Sequence, residues 1–295
     1  MIIIDPLPRL HLTKFLYFCA MFLKRLYILL LLTVIILAGC GKHQKLIKST
    51  DNEAKYAAAI DYYEEKDYYR ALQLFQQLIN VYQGTDKAEK MQFYYAYCYY
   101  YQKDNVLASY YFKRFVNNYP KSPLAEEAMY MNAYCYFLDS PTSSLDQTNT
   151  YTAIKELQLF INLYPNSARV EEANKLIDQL RAKLQRKDLD IASLYLKMKQ
   201  YEAAIFCYKN VMKDYPDTDF KEDILYNILK SNFYFAENSI MSKQTERYQS
   251  ALDAYNELVF QYPETKYMKE ANSMNRTIRE KVGGSSSEQS KADIN

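Results

Sequence analysis

The sequence predicts an all-α fold, a superhelix of five helix pairs. Five segments of similar pattern end in a Tyr, and in four of them a Pro follows directly. A small residue and two large apolar residues precede each end at constant spacing, and a small–aromatic pair recurs upstream. Self-similarity at a fixed period is typical of repeat architectures, in which each repeat is one supersecondary unit. The five ends are Tyr82, Tyr119, Tyr164, Tyr215 and Tyr262.

The second helix of each predicted pair carries its apolar residues on one face. Counted back from the position after the terminal Tyr, a small residue stands twelve places earlier, and large apolar residues stand eight and five places earlier. Spacings of four and three put these side chains on one side of a helix. The Pro ends the helix, since it lacks an amide hydrogen and clashes with the preceding turn. The small residues are Ala71, Ala108, Ala153, Ala204 and Ala251.

The first helix of each pair also repeats. A Tyr follows three residues after a small residue in every unit, and the combined pattern resembles the tetratricopeptide repeat over residues 53 to about 280. Stacking of such units buries a continuous core and creates a concave side. Two units carry eight extra residues, around Asp139–Thr150 and Glu237–Arg247, which we expect to be loops or helix extensions. The small residues are Ala59, Ala96, Ala133, Ala192 and Ser231.

Composition excludes several classes of enzyme. With only 5 Gly, the chain has no Gly-rich phosphate-binding loop, and with only 2 His it has neither a His-dependent triad nor a His-rich metal site. Three cysteines, Cys98, Cys135 and Cys207, lie far apart in the body, and we interpret them as buried free thiols. We therefore expect no catalytic activity, no cofactor and no metal.

The first forty residues predict a lipoprotein signal peptide over residues 1–39. Lys24 and Arg25 precede an apolar run, which ends in Leu37-Ala38-Gly39-Cys40. That ending resembles a lipobox, which implies that Cys40 becomes the acylated N-terminus of the mature chain. Met21 would begin a complete signal by itself, so we interpret residues 1–20 as the product of a mis-called start.

The mature chain is organised around the repeats. We expect a lipidated linker over residues 40–50, a five-unit domain over 51–282 and a disordered Gly/Ser-rich tail over 283–295. The signal holds four of the 37 basic residues and one of the 35 acidic residues, so the mature net charge is −1. This charge gives no indication of nucleic-acid binding. The segment after Cys40 lacks acidic residues, which resembles lipoproteins sent to the inner leaflet of the outer membrane.

Aromatic residues are concentrated on the first helices of the first three units. Tyr combines a large contact area with a polar tip and few rotors, which suits it to binding an extended or unfolded peptide. We expect these side chains to line a peptide-binding groove, with about half of them serving mainly to pack the helices. The nine residues are Tyr56, Tyr63, Phe93, Tyr97, Tyr100, Tyr101, Tyr130, Tyr134 and Phe137.

A lipobox followed directly by five such repeats resembles the BamD family of outer-membrane β-barrel assembly lipoproteins. The motifs that carry this resemblance are Tyr69-Arg70-Ala71-Leu72, Ala108-Ser109-Tyr110-Tyr111-Phe112 and Asp214-Tyr215-Pro216-Asp217-Thr218. The two insertions, with Leu138–Pro141, Leu145–Thr150 and Lys243–Tyr248, resemble the Bacteroidota branch of that family.

The resemblance implies a non-enzymatic scaffold that is lipid-anchored at the periplasmic face of the outer membrane. Its N-terminal repeats would receive unfolded outer-membrane proteins. Its C-terminal repeats would bind the POTRA region of the central barrel-assembly subunit. The residues expected at that dock belong to the fifth-unit insertion and are Glu237, Lys243, Gln244, Arg247 and Tyr248.

Two alternatives belong to other envelope complexes. A glycan-uptake lipoprotein uses such repeats with long binding insertions and commonly Trp, whereas this chain has short insertions and no Trp. A cell-division repeat protein would more often carry an N-terminal coiled coil, and no heptad run precedes Asp51.

Replacing Cys40 tests the predicted anchor. We expect Cys40→Ala to move the protein from the membrane fraction to the soluble fraction, because acyl chains contribute about 0.8 kcal/mol per buried methylene. Fractionation and mass spectrometry of the N-terminus measure this. The prediction would be contradicted if the Cys40→Ala protein stayed in the membrane fraction and the N-terminus of the wild-type protein carried no modification.

Overall fold

The computed structural model describes residues 23–27 and 41–292, and these fall into two compact units divided between Leu138 and Asp139. All regular structure in these ranges is helical. Residues 23–27 are helical, whereas Cys40 and the rest of the predicted signal lie outside the described residues. The predicted fold class, an all-α chain of tetratricopeptide-type helix pairs, is confirmed.

The first unit contains helices α1 to α6. Consecutive helices α2 to α6 pack on one another, with α2 on α3, α4 on α5 and α5 on α6. Their bounds are α1 over residues 41–48, α2 Asn52–Glu64, α3 Tyr68–Leu78, α4 Asp86–Tyr101, α5 Asn105–Asn118 and α6 Ala125–Leu138.

The second unit contains helices α7 to α12. Here α7 and α9 both pack on α8, while α10 packs on α9, α11 and α12. Their bounds are α7 Thr148–Leu163, α8 Val170–Lys197, α9 Tyr201–Asp214, α10 Lys221–Glu237, α11 Met241–Gln261 and α12 Met268–Ala292.

Small residues at the predicted positions are all fully buried. Each of the ten, in both helices of every pair, has a relative exposure of 0%. The large residues beside them form the core, such as Phe75 and Leu78 in the first unit and Tyr208 and Leu258 in the second. Because a small side chain lets a second helix approach closely, these positions favour the packing of α2 on α3, α4 on α5, α8 on α9 and α10 on α11.

Tyr-Pro sequences end the second helices as predicted. Helices α5, α7, α9 and α11 each stop one residue before the Tyr, whose φ lies between −126° and −134°. The residue before Pro is disfavoured in the helical region, so the backbone turns extended there. Each of these Tyr amides still donates to the carbonyl four residues earlier, which satisfies one of the last helical acceptors.

The turns inside three pairs use a left-handed lysine. Lys66, Lys103 and Lys199 have φ of 64°, 66° and 60°. In the first turn, the Lys66 amide donates to Tyr63 O and the Asp67 amide donates to Tyr62 O, which is the Schellman pattern. Glycine is the usual residue at this position, because an L side chain is strained there.

Aspartates following two of these lysines begin the next helix. The Asp67 carboxylate accepts from the Arg70 amide at 3.1 Å, and the Asp104 carboxylate accepts from the Leu107 amide at 3.0 Å. Such N-caps each contribute about 1 kcal/mol. The Lys-Asp pair therefore ends one helix and starts the next within two residues.

Helix α1 differs from the linker expected over residues 40–50. His43 is buried, its Nε2 lies 2.8 Å from Gln73 Oε1, and its ring meets Tyr62 edge-on at 5.4 Å. Leu46 and Ile47 pack on the core of the first unit. The spacing of these three residues puts them on one helical face, so burial favours a helix over a free linker.

Helix α12 differs from the tail expected over residues 283–295. Ala271 and Ile278 are fully buried and fix the helix against the second unit. The helical backbone then continues beyond Gly283 to Ala292. Gly and Ser have low helix propensity, which is why the sequence predicted a tail there.

The two insertions have different structures. Residues 139–147 form a loop in which Gln147 is buried and donates to the carbonyls of Thr142 and Leu145. Lys183 of α8 donates to Ser140 Oγ at 2.7 Å. The second insertion mostly extends α11, which begins at Met241. One is therefore a fixed loop and the other a helix extension, and the sequence predicted these two forms without choosing between them.

Replacing Lys103 with Gly tests the strain in these turns. We expect Lys103→Gly to stabilise the chain by about 0.5–1 kcal/mol, because the steric cost of the left-handed conformation that Gly removes exceeds the cost of the extra unfolded-state entropy that Gly adds. Lys103→Ala is the matched control, since it keeps the strain and also removes the ammonium group, which lies 5.8 Å from the Tyr100 ring. Urea denaturation measures both. A Gly variant no more stable than the Ala variant would contradict the account.

Candidate functional site

Tyrosine rings from four helices of the first unit form one connected surface. Tyr63 of α2 stacks on Tyr94 of α4 at 4.1 Å, and Tyr68 of α3 stacks on Tyr101 of α4 at 4.2 Å. Ring contacts continue along α4 and reach α6, where Tyr134 lies 6.5 Å from Tyr100. We call this set the tyrosine cluster: Tyr63, Tyr68, Tyr94, Tyr97, Tyr100, Tyr101 and Tyr134.

Within the tyrosine cluster, Tyr97 is held in place and Tyr101 is the most exposed. Tyr97 Oη donates to Glu127 Oε1 at 2.6 Å, and burial together with this hydrogen bond raises the pKa of Tyr97 well above its ordinary value. Tyr101 stacks on Tyr97 with ring centroids 5.7 Å apart and is 42% exposed. The cluster therefore presents a fixed aromatic base with an accessible ring on top.

Two of the nine predicted groove residues are core residues. Phe93 is 7% exposed and contacts Phe112 and Phe115 of α5 with centroids 6.2 Å and 5.4 Å away. Tyr130 is 2% exposed and stacks on Tyr134 at 5.8 Å. Both support the cluster from beneath. Phe137 is half-buried and extends the stack from Tyr134 along α6 at 5.8 Å.

Tyr56 lies apart from the tyrosine cluster, two helical turns before Tyr63 on α2. Its ring is 5.6 Å from Tyr82, and the Lys87 ammonium lies 5.1 Å above it. Tyr82 Oη donates to Glu53 at 2.8 Å, and burial with this bond raises the pKa of Tyr82 to about 12. Tyr56 therefore belongs to a second, smaller group that joins α2 to the start of α4.

Sequence reasoning missed two members of the tyrosine cluster. Tyr94 lies on α4 directly after Phe93, and Tyr68 opens α3, the second helix of its pair. Only first-helix residues at repeat spacing were predicted to face the groove. The position of Tyr68 directly after the N-cap Asp67 is the signal that could have identified it, since the first turn of α3 lies beside the end of α2.

The predicted partner dock contains both packed and exposed side chains. Tyr248 is 2% exposed and contacts Phe233, which places it in the core of the second unit. Gln244 Nε2 donates to Ser239 O at 3.0 Å, and Arg247 donates to Ser239 Oγ. These three residues of the predicted set therefore hold the α10–α11 turn in place.

The surface of that turn is apolar and was missed by the sequence analysis. Ile240 is 72% exposed and Met241 is 89% exposed. Glu237 and Lys243 of the predicted set are exposed beside them, and Lys243 is 3.3 Å from Glu246. Two adjacent exposed apolar side chains on a fixed turn form a contact surface of the kind used in protein association.

The described cysteines are not poised for chemistry. Cys98 and Cys135 are buried, Cys207 is half-buried, and all three are free thiols. Burial raises the pKa of Cys98 to about 12, so its thiol stays protonated at neutral pH.

In the part of the chain that the structure describes, no group of three or more His, Cys, Asp or Glu residues is arranged to hold a metal ion. Among the same residues, no helix has the length and apolar character needed to span a membrane.

A known protein family matches most of this helical repeat protein. The pattern of the YfiO family, described as outer membrane lipoprotein, matches residues 48–239. The chain therefore belongs to the YfiO family, which is the BamD family that the sequence resembles. It is an outer-membrane lipoprotein scaffold of a family that is generally non-enzymatic.

Solved structures of other helical repeat proteins are similar to this chain at low sequence identity. A TPR repeats protein from Bacteroides fragilis is 18% identical, over 78% of this chain and 99% of that one, with a TM-score of 0.36. A structure of TPR-like repeats from Podosopora anserina is 14% identical, over 79% of this chain and 95% of that one, with a TM-score of 0.31. No curated protein matches the sequence.

Proposed function

We propose that this protein is a lipid-anchored scaffold of the β-barrel assembly machinery at the periplasmic face of the outer membrane. In this proposal the first unit binds unfolded barrel precursors, and the C-terminal repeats dock the POTRA region of the central barrel subunit. Membership of an outer-membrane lipoprotein family supports the location. The tyrosine cluster is the observation that carries the binding role. The resemblance of the two insertions to the Bacteroidota branch supports the assignment of this chain to that branch of the family.

The tyrosine cluster suits an extended, unfolded client. Tyr97 and Tyr63 are half-buried and fixed by stacking, so little side-chain entropy is lost when a peptide covers them. Exposed hydroxyl groups can donate to or accept from a free peptide backbone. Aromatic rings of a barrel precursor can stack on the open face of Tyr101. The cluster thus offers both kinds of contact without demanding a fixed sequence.

Lysines border this surface. Lys90 lies 5.2 Å from the Tyr94 ring and Lys103 lies 5.8 Å from the Tyr100 ring, and both are exposed. Their ammonium groups add attraction for acidic side chains and backbone carbonyls of a client. Because such contacts are exposed, they contribute less than the aromatic area and weaken in salt.

The α10–α11 turn fits the proposed dock. Gln244 and Arg247 fix the turn from within, and the Arg247 guanidinium lies 3.8 Å from the Phe235 ring. Ile240 and Met241 project from it and are mostly exposed. A partner that covers both would bury apolar surface on a turn that loses little freedom when it binds, which favours tight association.

Truncation of Tyr101 tests client binding. We expect Tyr101→Ala to weaken binding of a fluorescent peptide from an aromatic-rich barrel strand by roughly thirtyfold, the effect of losing an anchor worth about 2 kcal/mol. Fluorescence anisotropy measures the affinity, and thermal denaturation shows that folding is kept.

Tyr110→Ala is the matched control, since Tyr110 is 56% exposed in the same unit and contacts Tyr111 rather than the tyrosine cluster. We expect it to leave the affinity unchanged. Equal affinity for the Tyr101→Ala and wild-type proteins would remove the tyrosine cluster from the proposed function.

Charge at Met241 tests the dock. We expect Met241→Asp to abolish most co-purification of the barrel subunit, because a carboxylate would be buried in an apolar contact. It should not destabilise the fold, since an acidic residue suits the first turn of α11. Phe260→Asp, at an 86% exposed position of the same helix, is the control and should have no effect. Loss of the partner with Phe260→Asp alone would place the dock elsewhere.

A further inference from the structure

The second unit contains a cavity of which the proposed dock includes only Glu237. It lies among α8, α9 and α10 and has a volume of about 600 Å³. Side chains of Lys197, Lys199, Lys230, Tyr201 and Tyr234 line it. A volume of this size is in the range of small-molecule and peptide side-chain sites.

Positive charge is concentrated in this cavity. Three lysines line it, and Glu237 is the one acidic residue among the lining residues. None of these lysines forms an ion pair within residues 41–292, whereas Lys175 and Lys266 elsewhere in the second unit pair with Glu171 and Asp223. The cavity is therefore short of negative charge and attracts an anionic group.

The backbone at Lys199 supports a binding role. Lys199 adopts the left-handed conformation, with φ of 60°, and the following Gln200 makes no side-chain cap to α9. In the first unit, the residue after each left-handed lysine is a capping aspartate. Lys199 makes the same turn hydrogen bonds as the other two lysines, and this turn fixes its backbone beside the cavity that it lines.

Aromatic and amide groups complete the lining. Tyr201 and Tyr234 stack at 5.9 Å with their planes 25° apart, which gives a flat apolar wall. Asn227 and Asn238 add amide donors, and Ser193 Oγ lies 3.0 Å from Tyr208 Oη. Ammonium and amide donors beside an aromatic wall match a carboxylate that is adjacent to an apolar or aromatic side chain.

We propose that this cavity binds an acidic peptide segment of a partner protein, in which an Asp or Glu carboxylate meets the three lysines and a neighbouring apolar side chain packs on the Tyr201–Tyr234 wall. The proposal deepens the proposed function and rests on it, in that the second unit holds the partner dock. Glu237, expected at the dock from the sequence, also lines the cavity, and its negative charge opposes the attraction of the three lysines for an anion.

Binding of matched peptides tests this cavity directly. The probe is a fluorescent peptide with a Tyr-Asp-Glu-Tyr centre, and its partner carries Tyr-Asn-Gln-Tyr instead. We expect the acidic peptide to bind at least tenfold more tightly, with the difference shrinking as salt is added, because only its carboxylates form charge-assisted hydrogen bonds with the lysines.

Two substitutions locate the binding. Lys199→Gln and Lys230→Gln should each weaken the acidic peptide about tenfold and leave the neutral peptide unchanged. Lys199 is exposed, so its variant folds even if the half-buried Lys230 is needed for stability. Lys209→Gln is the control, since Lys209 is exposed on α9 and does not line the cavity.

The outcomes separate this proposal from the proposed function. Equal binding of both peptides, equal loss with Lys209→Gln, or complete competition by millimolar inorganic phosphate would overturn the acidic-peptide site. Co-purification of the barrel subunit with Lys199→Gln is measured in parallel. If Lys199→Gln weakens peptide binding but leaves co-purification unchanged, the acidic-peptide site stands and the barrel subunit is not its occupant.

Discussion

Close approach of paired helices at small residues is the constraint on which the rest of the structure depends. Ten such positions, five in each type of helix, have no exposed surface at all. A larger side chain at any of them would separate two helices and typically cost about 1–3 kcal/mol. Large residues beside these positions form the cores, with Phe75 and Leu78 in the first unit and Tyr208 and Leu258 in the second.

The tyrosine cluster is a consequence of this packing. Helices α2, α3 and α4 lie close enough for rings on neighbouring helices to stack at about 4 Å. Phe93 and Tyr130 fill the space beneath and fix the helices that carry the exposed rings. The protein thereby presents a rigid aromatic surface. Rigidity of this kind suits a scaffold whose clients arrive unfolded, since the ordering cost then falls on the client alone.

Much of the fold could be predicted from the sequence because the repeat fixes local geometry. The Tyr-Pro ends, the alanine positions and the helix pairs depend only on spacing along the chain. Ring pairing depends on how helices cross, and so the stack of Tyr68 on Tyr101 could not be predicted from spacing alone. Tyr248 was expected at the dock, yet it is core, because the insertion continues α11 and turns that side chain inward. Helix α1 was missed because a short amphipathic segment resembles a linker until a neighbouring core gives it a partner.

Site-specific photo-crosslinking in growing cells tests the central claim most directly. A photoreactive residue in place of Tyr101 is predicted to crosslink newly synthesised barrel precursors, with the signal falling as synthesis of those precursors is stopped. The same residue in place of Tyr110, which is also exposed in the first unit, should not do so. Crosslinks to precursors from position 110 and none from position 101 would show that clients bind a different surface of the first unit.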